Sequence, residues 1–155
     1  MHIRRLYSVL SVMALGTVTA LAVPATAQAA ETPVGPASGA SASVIAADGN
    51  FYAWRDINGG GGNCAWSGND SDWSTCSPGG NMRNQASDIW NNGYAGSYDD
   101  VLVYWGLNYT GAYACIPNGR SYNPLTSYYF PNTGTGGGQN MNDNISSHKW
   151  ANAAC

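Results

Sequence analysis

Oxygen donors, rather than nucleophiles, make up most of the residues in this chain that could do chemistry. The run Met141-Asn142-Asp143-Asn144-Ile145-Ser146-Ser147 sets an amide and a carboxylate a few residues ahead of two hydroxyls. Hard cations such as Ca²⁺ want several such oxygens together with backbone carbonyls, so Asn142, Asp143, Ser146 and Ser147 are candidate metal ligands. With few carboxylates available, the affinity expected is weak. The same residue types also have a purely structural use, in which Asn-Asp closes a turn and Ser-Ser bonds to nearby backbone. Nothing in the chain requires a cofactor, and Ca²⁺ is the one ion the sequence offers to take.

Catalysis has little raw material. Beyond residue 30 there is one histidine, His148, and no G-x-S-x-G element, so a nucleophile–base pair cannot be assembled. Asp99-Asp100 is the only adjacent carboxylate pair. Neighbours on a strand point to opposite faces and would not act on one bond. Gly59–Gly62 lacks the Lys-Ser/Thr that a phosphate-binding loop needs. The sequence therefore reads as a binding protein and not as an enzyme. Trp66 and Trp73, set among Ser, Gly, Asn and Asp, are candidate contact residues for a partner such as a cell-wall glycan.

Such residues need a scaffold, and the chain divides accordingly. Residues 1–30 combine Arg4 and Arg5, an apolar run and an Ala-rich exit, the three parts of a secretory signal. Residues 31–48 are Ala, Ser, Gly and Pro with little else, a flexible leader. Residues 49–155 form the domain. Past the signal, Arg55, Arg83, Arg120 and Lys149 stand against nine carboxylates. That balance argues against nucleic acid and against a membrane surface. A secreted, extracellular monomer is expected.

Cys64, Cys76, Cys115 and Cys155 are an even set in an exported chain and read as two disulfides. Three pairings are possible, and sequence alone does not choose among them. Cys64–Cys76 with Cys115–Cys155 is favoured because each bridge then closes within one half of the domain.

Short apolar runs punctuated by Gly, Asn, Asp and Ser indicate an all-β sandwich. Phe51–Trp54, Val101–Trp105, Tyr113–Ile116 and Tyr128–Phe130 are strand-like, and only Met82–Asn92 offers a helical turn or two. The pattern also occurs twice. Trp54-x4-Gly59-x-Gly61 precedes Met82-Arg83-Asn84-Gln85-Ala86-Ser87-Asp88, as Tyr104-x4-Tyr109-x-Gly111 precedes Met141–Ser147.

Tyr104-x4-Tyr109-x-Gly111 resembles the folded-hairpin signature of the βγ-crystallin Greek-key motif. Asn142-Asp143-x-x-Ser146-Ser147 resembles the calcium-binding signature of that superfamily. With Cys64-Ala-Trp-Ser, Trp90-Asn-Asn-Gly93 and Met141–Trp150, the chain resembles the actinobacterial peptidase inhibitors of family I36 over residues 50–155. The resemblance implies a βγ-crystallin-like Greek-key sandwich of two tandem four-stranded motifs. It also implies inhibition of a secreted peptidase, of the metalloprotease class. Tyr113–Gly119 would then be the inhibitory loop, with Cys115 as anchor and Ile116 supplying an apolar side chain. The first copy departs from the pattern, with Gly59 in place of the hairpin aromatic, Arg83 in place of Asn142, and Asp88 in place of the closing serine.

Overall fold

The computed structural model describes residues 45–155; the signal segment and most of the leader lie outside them. Strand β1 (Asn50–Trp54) alternates, turning Phe51 and Ala53 inward to full burial and leaving Tyr52 and Trp54 outside. It pairs antiparallel with β2 (Asn63–Trp66) on one side and β3 (Asp88–Asn92) on the other. In the second half, β4 (Asp100–Tyr104) buries Val101 and Val103 between β5 (Tyr113–Ile116) and β7 (Ser147–Ala151). The short β6 (Ser121–Tyr122) leaves its own half and adds to β3, giving sheet orders β2-β1-β3-β6 and β5-β4-β7. Side chains from both inner faces, with Trp73, Met82, Leu125, Phe130, Met141 and Ile145 from connecting segments, form one buried core. The fold is all-β, in two antiparallel sheets.

The two halves are related residue by residue. Asn58 and Asn108, Gly59 and Tyr109, Gly61 and Gly111, and Asn84 and Asp143 all share a left-handed backbone at equivalent positions. The N–H groups of Ser87 and Ser146 donate to the carbonyls of Trp54 and Tyr104. The first sheet reaches four strands by exchange, and the second reaches three strands and a bridge. β6 completes the first sheet, and the segment at Asp70 sits beside β7 in the position β6 takes beside β3, held by reciprocal backbone bonds between Asp70 and His148 of 3.0 and 2.8 Å. That segment makes a single bridge, so the second sheet counts three strands.

Two elements differ from the sequence reading. Met82–Asn92 is not helical: a turn at residues 83–85 runs into β3, where Ile89 and Asn91 are both fully buried. The buried amide explains why no apolar alternation was visible. Asn91 Nδ2 donates to the carbonyls of Asp99 (2.8 Å) and Ile116 (3.0 Å), and its Oδ1 accepts from the Gly93 N–H. A fully satisfied side chain of this kind ties β3 to the strands facing it. Tyr128–Phe130 makes no strand. Tyr129 bridges only to Asn140, while Tyr128 stacks on Tyr122 with ring centroids 4.1 Å apart.

The disulfides join Cys64 to Cys76 and Cys115 to Cys155, each within one half. Among the described residues no helix is long and apolar enough to cross a membrane. The loop closed by Cys64–Cys76 carries Trp73, which lies in the core against Phe51, Trp66 and His148, with centroids 4.7 Å from Trp66 and 5.6 Å from His148. Trp73 Nε1 donates to His148 Nδ1 (2.8 Å), so the proton of the neutral ring sits on Nε2 and is donated to the Gly68 carbonyl (2.9 Å).

Burial holds the His148 pKa down to about 3, against an ordinary 6.5. Between those values the unfolded chain binds a proton that the folded protein refuses, so stability falls as pH falls. Unfolding free energies from urea melts between pH 6 and pH 5 should drop with a slope approaching roughly 1.4 kcal/mol per pH unit from this one group. In His148→Gln the slope over that interval should flatten; an unchanged slope would place its origin elsewhere.

Candidate functional site

The two repeated loops meet at the centre of the domain. Asp143 N–H donates to the Ala86 carbonyl (3.0 Å), and Asn84 N–H donates to the Ile145 carbonyl (2.9 Å), a reciprocal pair between equivalent positions. The Ser146 hydroxyl from the second copy donates to Asn84 Oδ1 of the first (3.0 Å), so oxygens from both copies converge. Asp143 is exposed and its carboxylate accepts from the neighbouring Asn142 amide at 2.7 Å. Partial desolvation with no cation nearby raises its pKa above the ordinary carboxylate value.

The four sequence-selected oxygens therefore divide into different roles. Asn142, Asp143 and Ser146 stand at the junction of the loops. Ser147 is fully buried and already engaged, donating to the Gly106 carbonyl (2.7 Å) and accepting from the Tyr109 N–H (3.1 Å). Its hydroxyl holds the folded hairpin in place, where Tyr109 has a left-handed backbone at φ 60° and packs edge-on against Tyr104. It is not free to ligate a metal.

Asp88, at the equivalent position of the first copy, does the same work with a carboxylate. Its Oδ2 accepts from the Gly59 N–H at 2.8 Å. Burial raises the Asp88 pKa, the hydrogen bonds from Gly59 and Ser121 opposing that shift. The substitution that looked like degradation of the motif is thus a replacement of one hairpin tie by another. Arg83 is drawn aside by Asp72, with Nη1–Oδ1 at 3.6 Å, in the one ion pair among the described residues.

Three other expectations are corrected. Ile116 is fully buried in β5, paired with Val101 across the sheet, so it cannot be offered to a peptidase cleft. Cys115 beside it is half-buried and paired with Leu102, a strand residue and not a loop anchor. Trp73 is fully buried, and Trp66 is half-buried and stacked on it, so the pair is core and not a contact surface. The reason is the same in each case. Each is buried by partners distant in sequence, Val101 and Leu102 across the sheet from Ile116 and Cys115, and His148 from the other half against Trp73 and Trp66, at separations no local pattern reports. Asp99 and Asp100 do not act together either: Asp99 caps the Gly96 N–H and Asp100 the Asn118 N–H.

Solved structures of low sequence identity share this architecture. The one described as "Evolution of the eye lens beta-gamma-crystallin domain fold" superposes with a TM-score of 0.50 at 18% identity, covering 68% of this chain and 88% of its own. The fold is that of a βγ-crystallin domain. A βγ-crystallin from Ciona intestinalis (18% identity, 66% of this chain and 99% of its own, TM-score 0.46) is also similar. So is spherulin 3A from Physarum polycephalum (18% identity, 71% and 89%, TM-score 0.46). Neither a protein-family model nor a curated protein matches the chain.

In this βγ-crystallin fold the second-half hairpin depends on Ser147. Ser147→Ala leaves the Gly106 carbonyl and the Tyr109 N–H without their partner, and should cost about 2–4 kcal/mol in urea unfolding. A loss under about 0.5 kcal/mol would show that the hairpin stands without its tie.

Proposed function

We propose that this is a non-catalytic extracellular binding module whose paired loops take calcium. The observation that carries the reading is the hydrogen bond that the Ser146 hydroxyl donates to Asn84 Oδ1 (3.0 Å), which brings together one oxygen from each copy. Calcium takes oxygens at about 2.3–2.6 Å, and a donating hydroxyl and an accepting amide oxygen each keep a free lone pair, so the two can turn to one ion. Asp143, lacking a cationic partner and already disfavoured in its charged form, occupies the equivalent place on the other loop. A nearby cation would reverse that penalty. Of the two carboxylates on the loops, Asp88 is tied to the Gly59 N–H and only Asp143 stands exposed, so binding in the weak range of extracellular modules is expected, with Kd on the order of 10⁻⁴–10⁻³ M.

Calorimetric titration with CaCl₂ in a chelator-treated sample tests this. Heat with a saturating isotherm, together with a rise in Tm, is the expected result. Asn84→Ala and Asp143→Ala should each weaken binding several-fold without unfolding the domain. No heat and no Tm shift at millimolar calcium would end the reading.

Inhibition of a secreted metalloprotease rests on the resemblance to the I36 inhibitors, and with Ile116 buried it has lost its contact residue. Residual thermolysin activity against increasing protein is the direct measurement. Stoichiometric loss that persists in Asn84→Ala would put inhibition on a surface separate from the calcium loops.

A further inference from the structure

The aromatic side chains that reach solvent are not the ones the sequence singled out. At the end of the sandwich where the β3–β4 loop meets the start of β1, a shallow groove of about 340 Å³ opens between Tyr94, Tyr98 and Trp150. Tyr94 and Tyr98 are 67% and 64% exposed, although an aromatic ring left in water forgoes the burial that ordinarily stabilises it. Trp150 forms the wall from β7, with Ser67 and Ser97 adding hydroxyls at the rim.

Its shape depends on two glycines. A Cβ on Gly93 would come within 2.5 Å of the Trp150 ring, and one on Gly49 within 2.6 Å of the Tyr94 ring. Both aromatics are thus laid directly onto bare backbone, which fixes their planes.

Tyr98 is the unusual member. It has φ 58°, a left-handed backbone that bulky side chains avoid. Tyr109 shares that conformation, but there the hairpin tie and the packing on Tyr104 account for it. No such packing accompanies Tyr98, whose ring stands in solvent. Local strain without a stabilising contact marks a residue held for use.

Charge narrows the ligand. None of the four cationic side chains of the described residues lines the groove: Arg55 bonds to the Gly79 and Asn81 carbonyls, Arg83 pairs with Asp72, Lys149 lies over Tyr104 and Tyr109, and Arg120 is not part of it. A phosphorylated or carboxylated ligand would find nothing to neutralise it. The volume lies near the lower limit for small-molecule sites. Flat rings with a negative face suit the weakly positive C–H face of a pyranose, and hydroxyls at the edge suit its hydroxyls.

We propose that the Tyr94–Tyr98–Trp150 groove binds an uncharged pyranose unit of an extracellular glycan. The site is separate from the calcium loops, so titrations run with and without a chelator keep the two readings apart. The test is titration of the full protein with chitotetraose and with cellotetraose, followed by tryptophan fluorescence and by amide and indole shifts in heteronuclear NMR.

Shifts confined to residues 93–99, Gly49, Ser67 and Trp150 with one or both sugars are expected. Tyr94→Ala and Tyr98→Asn should each weaken binding by about tenfold or more. Asparagine tolerates the left-handed backbone, so Tyr98→Asn should hold or raise Tm while losing affinity. Tyr113→Ala, at an exposed tyrosine outside the groove, should leave affinity unchanged. Absence of shifts at millimolar sugar overturns the proposal. So does binding that survives Tyr98→Asn, or a groove that responds to a peptidase and to neither sugar.

Discussion

One imidazole holds the two halves of this domain together. His148 belongs to β7 in the second half, yet its ring is enclosed by Phe51, Trp66 and Trp73 of the first. Both nitrogens are used, one accepting from the Trp73 indole and the other donating to the Gly68 carbonyl. A leucine there would fill space but leave an indole N–H without an acceptor and a carbonyl without a donor, each costly when buried. Because the ring stays neutral, it serves as donor and acceptor at once, which a protonated ring could not do. The Cys64–Cys76 loop gains its fixed path from this contact as much as from its bridge, since Asp70, Trp73 and Asn69 all bond to β7 or the residue before it.

Around that junction the internal symmetry is a symmetry of backbone shape more than of side chains. Equivalent residues share positive φ values and reciprocal hydrogen bonds, while the groups doing equivalent work have diverged. A carboxylate at Asp88 stands for the hydroxyl of Ser147, and glycine at 59 stands for Tyr109. Each change is tolerated because what the fold requires there is an acceptor for one N–H and a residue that can sit in the left-handed region. The first hairpin consequently lacks an aromatic cover, and Gly59 is exposed where its counterpart is half-buried.

That distinction explains how much could be read in advance. The hairpins and the Met-x-x-x-x-Ser loops were legible because a left-handed turn or a backbone cap restricts residue type at a fixed offset, whatever surrounds it. β1, β4 and β5 were legible from short apolar runs. β3 was not, because its inward face carries Asn91, whose burial is allowed only by carbonyls of Asp99 and Ile116 that fold back onto it. The misassigned site residues failed for the same reason. Trp73 sits in a polar stretch and looks exposed, and only the acceptor on His148, 75 residues away, makes its burial favourable. Ile116 looks equally suited to a loop or a core strand until its partner across the sheet is known. The groove left one trace, two tyrosines inside the turn-rich run Gly93-Tyr-Ala-Gly-Ser-Tyr-Asp-Asp100. Large aromatics in a segment with no strand period have no core to enter.

The exchange of β6 and the Asp70 segment between the sheets also bears on how such a protein could arise and how it could fail. Each half holds a piece that closes an edge of the other half's sheet. A single copy of the repeat would expose the flanks of β3 and β7, which are open templates for pairing with a second chain. An ancestral single repeat with this topology would therefore have been soluble chiefly as a symmetric dimer, and duplication would have converted that dimer into one chain. Self-association is then the direction in which damage would lead. Loosening either exchanged segment bares an edge that fits its equivalent on another molecule, so domain swapping is the form of aggregation this architecture favours.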